Sequence, residues 1–304
     1  MNLNTVKYFM ENPGRIVGTL GSKGYLNWMP DKMYLSLVFR LNLGYWPDFD
    51  APKTFNEKLN WLKLYDRKPV YTQMVDKYAV REYIAEKIGE DYLIPRVGGP
   101  WNSVEEIDFD ALPEQFVLKT THDSGGVVIC RDKAGFDREA EKRKLDWHLK
   151  REYFWGKREW PYKNVKPRII AEKYMQDRGI VNLPVYKMLC FNGEPKIFQI
   201  IQNDKTAEES IDYFDTDWKL LELRQNFPNS KKPMERPETL NEMLRLAREL
   251  SRGRGFLRTD FYNINGRVYF SEITFYSDAG FGSFDPPEWD EILGSWIELP
   301  EKTV

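Results

Sequence analysis

The stretch from Phe256 to Thr274 constrains this chain more than any other. Two runs rich in β-branched and aromatic residues, Phe256 to Ile264 and Arg267 to Thr274, flank Asn265-Gly266. An Asn-Gly pair between such runs is the strongest short-range signal for a β-hairpin. Each run also carries a carboxylate where an apolar residue is expected, Asp260 in the first and Glu272 in the second.

Loop length decides whether these acids meet. A strict two-residue loop sets Ile264 opposite Arg267 and Asp260 opposite Ser271, and sends Glu272 through the other face of the ribbon. A three-residue loop, with Gly266 left-handed in a bulge, pairs Asn263 with Arg267 and restores parity. The second geometry is the expected one, because Arg258, Asp260, Glu272 and Thr274 then share a face. Two carboxylates converging there repel unless a proton or a cation lies between them, and paired oxygen ligands beside phosphates suit Mg²⁺. An ordinary hairpin with both acids on a solvated face, paired with Arg258 and Arg267, is the plainer alternative.

Elsewhere, Met33 to Leu43 reads as a packed helix. Thr54 and Glu57 form a capping-box pattern ahead of Leu59, Trp61 and Leu62. A helix is predicted from about Thr72 to Ile88, with Asp76-Lys77 in its first turns; the helix dipole accounts for the Asp but not for the Lys. Gln115 to Lys119 reads as a buried strand ending on a lysine. The polar loop Thr120 to Gly126 follows, then a strand from Val127 to Cys130. Backbone N–H groups of such a loop, at Ser124, Gly125 and Gly126, can approach a phosphate closely with Lys119 as counter-charge, although no Walker pattern is present. A charged helix is predicted from Asp137 to Arg151, and Tyr153 to Trp160 reads as a mobile surface loop. Arg168 to Met175 is a strand with charges at its end. Pro184 to Phe191 and Pro195 to Gln202 form a second Asn-Gly hairpin around Asn192-Gly193, with Lys187 inside its first strand, where a lysine is costly unless it meets an anion. Glu238 to Arg252 is a helix closed by Gly253 and Gly255.

Composition narrows the function classes. At 304 residues, 41% hydrophobic and 30% charged, the chain is an ordinary globular sequence of two or three compact units. A net charge of −2 gives no electrostatic case for nucleic acid or an acidic membrane surface. Cys130 and Cys190 lie in apolar runs, which fits a reducing compartment, and with His122 and His148 the only histidines a zinc site has few ligands to draw on. No stretch approaches the ~20 apolar residues that span a bilayer, so a cytoplasmic protein is expected, with peripheral membrane contact at most.

The ordered set Asp76-Lys77, Phe116 to Lys119 with Ser124-Gly125-Gly126, Ala171 to Met175, Asp260 and Glu272 resembles the ATP-grasp superfamily. More narrowly, Thr54 to Lys58, Leu118 to Gly126, Cys190 to Gly193, Asp260 to Tyr262 and Glu272 to Phe275 are similar to its TupA-like branch, named for teichuronopeptide synthesis. The resemblance runs from about Pro30 to Pro300. It implies an α+β ATP-grasp fold in which two α+β subdomains clasp ATP. The expected divisions are an N-terminal helical or α-β region over 1–88, a lid subdomain over 89–175 and a metal- and substrate-binding subdomain over 176–304.

Carried over residue by residue, the resemblance implies that Lys77 and Lys119 contact ATP phosphates. Glu172, Lys173 and the backbone near Tyr174-Met175 bind adenine, with Lys187 a weaker candidate. Asp260 and Glu272 hold Mg²⁺, and Arg258 acts with Lys119 on the transferred phosphoryl group. Thr274 stands where the superfamily usually has Asn as a further metal ligand. The implied reaction makes an amide from a carboxylate and an amine through an acylphosphate, with ADP released. In the TupA-like setting of surface polysaccharide synthesis, an amino acid or amine would be joined to a uronic acid or to the polysaccharide bearing it. Phe275 to Ser283, bending on glycines after the metal strand, is the expected substrate wall. The competing expectation is a glycosyltransferase using a nucleotide sugar. Against it, the DxD triplet Asp215-Thr216-Asp217 reads as a turn.

Overall fold

The computed structural model describes residues 13–177, 180, 182–204 and 206–304; the first twelve residues of the N-terminal region lie outside them. Five helices lead the described chain: α1 (Pro13–Ser22), α2 (Asp31–Leu43), α3 (Phe55–Tyr65), α4 (Val70–Val75) and α5 (Val80–Lys87). The capping box of α3 forms as its sequence dictates. Thr54 Oγ1 accepts the Glu57 amide at 3.2 Å, and the Glu57 carboxylate accepts the Thr54 amide at 3.1 Å.

The single helix expected over Thr72 to Ile88 is broken at Asp76, which is extended at φ −72°, ψ 111°. The cause is local. The Asp76 carboxylate accepts the amides of Tyr78 at 2.9 Å and Ala79 at 3.4 Å, offering the backbone an alternative to the helical ladder. Lys77 therefore sits in a kink, free to point away from both helices.

A four-stranded antiparallel sheet runs in the order β1 (Arg96–Trp101), β4 (Ile169–Lys173), β2 (Phe116–Thr120), β3 (Val127–Cys130). Helix α6 (Arg138–Leu149) packs behind it, and Phe116, Leu118, Val128, Leu145, Ile169 and Ala171 form a dry core there. Period-two alternation sends Val117, Lys119, Ile170 and Glu172 to the opposite face.

A second antiparallel sheet holds β5 (Val185–Phe191), β6 (Glu194–Gln202), β7 (Ser210–Asp215), β8 (Phe256–Ile264) and β9 (Arg267–Thr274), in the order β7-β6-β5-β8-β9. Its rear face is covered by α8 (Leu240–Ser251), whose Met243, Leu246, Ala247 and Leu250 are fully buried. This larger core also takes in Phe55, Leu59 and Leu62 of α3, Met74 of α4 and Ile84 of α5. A short helix, α9 (Trp289–Ser295), packs against α3.

The segment from Tyr153 to Trp160, read from sequence as a mobile surface loop, is instead packed into the protein. It contains α7 (Phe154–Lys157) followed by Arg158, which is fully buried. The Arg158 guanidinium pairs with Asp31 at 3.3 Å and lies 4.4 Å from the rings of both Tyr34 and Trp155. The aromatic and basic residues that looked solvent-seeking bury one another through cation–π stacking.

Candidate active site

The β8–β9 hairpin brings its acids together by a different device from the one expected. Its loop has two residues, Asn265 at φ 51° and Gly266 at φ 76°, and Ile264 pairs with Arg267. Alone, that register would separate the carboxylates. A bulge then places Ser271 between the pairs Phe261↔Phe270 and Asp260↔Glu272, which shifts the remaining register by one residue. Asp260 and Glu272 stand directly opposite each other, with Arg258 opposite Thr274.

Cross-strand pairing extends this face into a polar row. Tyr213 pairs with Gln199, Gln199 with Lys187, Lys187 with Asp260 and Asp260 with Glu272, so the row crosses all five strands. Gln199 Nε2 donates to the Tyr213 hydroxyl at 2.9 Å, and that hydroxyl donates to Gln225 at 3.2 Å. Arg258 grips Asp260 with both arms of its fork at 2.8 Å and reaches Glu272 at 3.3 Å. Lys187 Nζ lies 4.0 Å from Asp260. Burial pushes the Asp260 carboxyl up, against the pull of Arg258 and Lys187. Glu272 is also raised by burial, but Arg258, Lys77 and Lys187 outweigh this and hold it below the usual carboxylate range.

The four-stranded sheet contributes from across the cleft. Lys119 Nζ meets Glu172 at 2.5 Å, and Arg81 of α5 approaches the other carboxylate oxygen at 3.3 Å. Burial opposes the Lys119 charge, yet Glu172 chiefly, with Glu272, raises it. Lys77 is tied into the same place. Its amide donates to Thr121 O at 3.1 Å and its ammonium to the carbonyl of Asp123. Burial lowers Lys77, with the Glu272 charge the strongest opposing influence. Lys77, Lys119, Glu172, Lys187, Arg258, Asp260, Glu272 and Thr274 thus converge.

Other residues named from the sequence do not. The Lys173 side chain is exposed on the opposite face of β4 from Glu172, and its amide is bound to Pro95 O at 2.9 Å. The Tyr174 hydroxyl accepts from Arg131 at 2.9 Å, and Met175 is half-buried beyond the end of β4. In the loop Thr120 to Gly126, Ser124 and Gly125 alone are exposed. Thr121, His122 and Asp123 are buried, and the Asp123 carboxylate is held by Thr120 Oγ1, His148 and Arg151. Gly126 has no space for a side chain because Thr120 Oγ1 occupies it.

The wall after β9 turns through three successive left-handed residues, Asp278, Ala279 and Gly280, at φ 46°, 52° and 66°. A buried polar stripe on α3 holds it there. Asn56 donates to Gly282 O at 2.8 Å, Asn60 to Gly280 O at 2.7 Å and Lys63 to Ala279 O at 2.6 Å. Asp278 stands near enough to influence both Arg258 and Lys187. Sequence reasoning passed over Arg81, Gln199, Tyr213 and this stripe, and named Asp278 only as part of the wall. The available signals were lone polar residues in apolar surroundings: Gln199 within Ile197 to Ile201, and Asn56, Asn60 and Lys63 at helical spacing.

The sequence model of the TupA-like ATPgrasp family matches residues 57–298. The chain belongs to this family. A search of curated proteins gives no significant match. Among solved structures, the chain is similar to the D-alanine–D-alanine ligase of Bacillus anthracis complexed with ATP, at 17% identity and TM-score 0.40 over 66% of this chain and 54% of that one. It is also similar to the D-alanine–D-alanine ligase of Helicobacter pylori, at 14% identity and TM-score 0.42 over 80% and 69%. The L-amino acid ligase of Bacillus licheniformis aligns at 16% identity and TM-score 0.41 over 66% and 42%. This TupA-like chain therefore spans about half the length of the Bacillus anthracis ligase.

The donor set can be tested against a divalent cation. Among the described residues no cluster of three or more His, Cys, Asp or Glu is present. A pair of opposed carboxylates fits a hard cation that takes its remaining oxygens from phosphate and water. The Glu272 side chain, 43% exposed, is open to such an ion, and the Thr274 hydroxyl shares its face. Both Asp260 oxygens are committed to Arg258, so Asp260 would have to share its charge between the guanidinium and the metal. Asp215-Thr216-Asp217 offers no comparable site: Asp215 Oδ1 accepts the amides of Asp217 and Lys219 and closes its own turn.

Proposed function

We propose that this TupA-like protein is an ATP-dependent carboxylate–amine ligase that forms an amide through an acylphosphate. Its carboxylate would be a uronic acid of a surface polysaccharide or its precursor, and its acceptor an amino acid or amine. One observation carries the reading. Lys77 and Lys119, from the side of one sheet, both feel the charge of Glu272, which on the other sheet stands opposite Asp260 and pairs with Arg258. Cations placed where negative charge develops on a transferring phosphoryl group lower its barrier without a covalent protein intermediate.

In this reading the side chains divide the work. Lys119, held charged by Glu172, and Lys77, whose reach is fixed by Asp123 O, grip the phosphates. The exposed amides near Ser124 and Gly125 close over them. Asp260, Glu272 and Thr274 would hold Mg²⁺, which when bound supplies charge neutralisation between the phosphates. Arg258, anchored by Asp260, presents its guanidinium to the carboxylate being activated. The residues near Glu172, Tyr174 and Met175 would receive the adenine. The wall at Asp278 to Gly282 would seat the substrate, and closure of the Thr120 to Gly126 loop tip would exclude water from an intermediate that hydrolyses.

Calorimetric titration with a non-hydrolysable ATP analogue, with and without Mg²⁺, tests the reading beside UDP-sugars. Mg²⁺-dependent binding of the analogue to the wild type, lost in Glu272→Gln, supports it. Binding of a UDP-sugar without binding of the analogue sinks it in favour of glycosyl transfer. In turnover assays, Lys119→Ala and Glu272→Gln are each expected to lower ADP release by at least about 100-fold.

A further inference from the structure

An acylphosphate needs a neutral amine as attacking group, whereas alkyl amines are ammonium ions at neutral pH. A ligase of this kind therefore needs a place for a proton on the acceptor side. The Lys77, Lys119 and Arg258 cations are unsuited to it, and Asp260 is committed to Arg258.

A buried carboxylate beside this site has no such commitment. Glu159 follows α7 in the packed segment and is 5% exposed. Its carboxylate makes one hydrogen bond among the described residues, from the Tyr153 hydroxyl at 3.4 Å. Lys63, the nearest buried cation in charge terms, is not its ion-pair partner: the Lys63 ammonium donates to Asn60 Oδ1 at 3.0 Å and Ala279 O at 2.6 Å, and lies 4.3 Å from the Phe281 ring. Tyr153 packs edge-on against Tyr162 at 4.8 Å. The Arg151 guanidinium lies 5.9 Å from the Tyr153 ring, and the Glu272 charge acts on both phenols. Lys63, Lys157 and Arg258 are the cations that face Glu159.

We propose that Glu159 is the proton acceptor for the incoming amine, reached through the Tyr153 hydroxyl. The inference rests on the ligase reading above. The amine docks at Tyr153, gives one proton to the phenol oxygen, and the phenol passes its own proton to Glu159. The nitrogen lone pair then forms the C–N bond as the C–O bond to phosphate breaks. Phosphate leaves with that electron pair and takes the second nitrogen proton, and Glu159 later returns its proton to water. Two properties support the relay. Burial raises Glu159 despite Lys63, Lys157 and Arg258, so its proton affinity suits the task. Burial, reinforced by Glu159, also raises Tyr153, so the phenol stays neutral and relays rather than stores the charge.

The test uses the full chain with ATP, Mg²⁺, glucuronic or galacturonic acid, and either hydroxylamine or L-alanine. Hydroxylamine is largely neutral at neutral pH and traps an acylphosphate without a base; alanine is protonated. In Glu159→Gln the ratio of amide to hydroxamate should fall at least about 100-fold. The amide rate should then climb about tenfold per pH unit as free amine is supplied. Tyr153→Phe keeps the ring and the charge beside Lys63, and should lower the same ratio. An unchanged ratio in both variants overturns the proposal and leaves the ligase reading standing. Absence of any ATP-dependent product in the wild type removes the ligase reading and the proposal with it.

Discussion

Asp260 and Glu272 face each other across one hairpin, yet their surroundings give them different work. Asp260 is 1% exposed and holds a buried guanidinium with both oxygens, whereas the Glu272 side chain is nearly half open. Asp260→Asn strands the Arg258 charge, and breaking a buried pair costs about 3–5 kcal/mol. Glu272→Gln removes a partly solvated contact worth about 1 kcal/mol or less. Urea unfolding should therefore show a large loss for the first and little for the second, although both should abolish metal-dependent nucleotide binding. Lys63 offers a pH test. Burial, against the opposing charge of Glu159, pushes it down to about 7, from 10.5. Between those values the unfolded chain binds the extra proton, so stability rises with pH across that window. Lys63→Met should flatten this rise in denaturation curves recorded from pH 7 to 10. The capping box, both Asn-Gly turns and the lysine closing β2 were readable at this scale, because each depends on neighbours within a few residues.

At the scale of elements, the hairpin shows where local reading stops. Asn265-Gly266 dictates a tight turn, and a tight turn by itself puts Glu272 on the wrong face. The Ser271 bulge reverses this, and nothing local marks it, since a serine in an alternating strand looks like any solvent-facing residue. Because Ser271 is the extra residue, deleting it should leave Glu272 opposite Asp260 in an unbulged ladder and keep Mg²⁺-dependent binding of the ATP analogue, as should Ser271→Ala, which keeps the bulge. The loop before β3 is similar. Its glycines were legible as backbone freedom, but the burial of Asp123 between Thr120, His148 and Arg151 joins residues 25 and more apart. Gly126→Ala would drive a methyl into Thr120 Oγ1. It should raise the KM for ATP, measured in the turnover assay, more than it lowers the melting temperature.

Across the whole molecule, the cleft depends on contacts between distant parts of the chain. β5 pairs with β8 rather than with sequence neighbours alone, which carries the polar row from Tyr213 to Glu272. The stripe on α3 reaches more than 200 residues ahead to hold the backbone at Ala279 to Gly282. Asn60→Ala would leave the buried Gly280 carbonyl and the Lys63 ammonium each short of a partner. The expected cost is about 1–3 kcal/mol, visible as a lower urea midpoint, because an unsatisfied buried polar group loses its full solvation. The Thr54 to Lys58 stretch thus opens a positioning helix: its capping box starts α3, and its Asn56 begins the stripe.

The sequence by itself determined the two Asn-Gly hairpins, the strand ending on Lys119, the helix behind the larger sheet and membership of the TupA-like family. Each of these is written in turn chemistry, periodicity or motif order, which act over short stretches of chain. The tertiary structure alone decided that Ser271 would bulge, that Arg158 would be buried, and that Glu172 would sit between Lys119 and Arg81. Those outcomes turn on which charges lose their water together, and desolvation depends on neighbours that only the folded chain supplies.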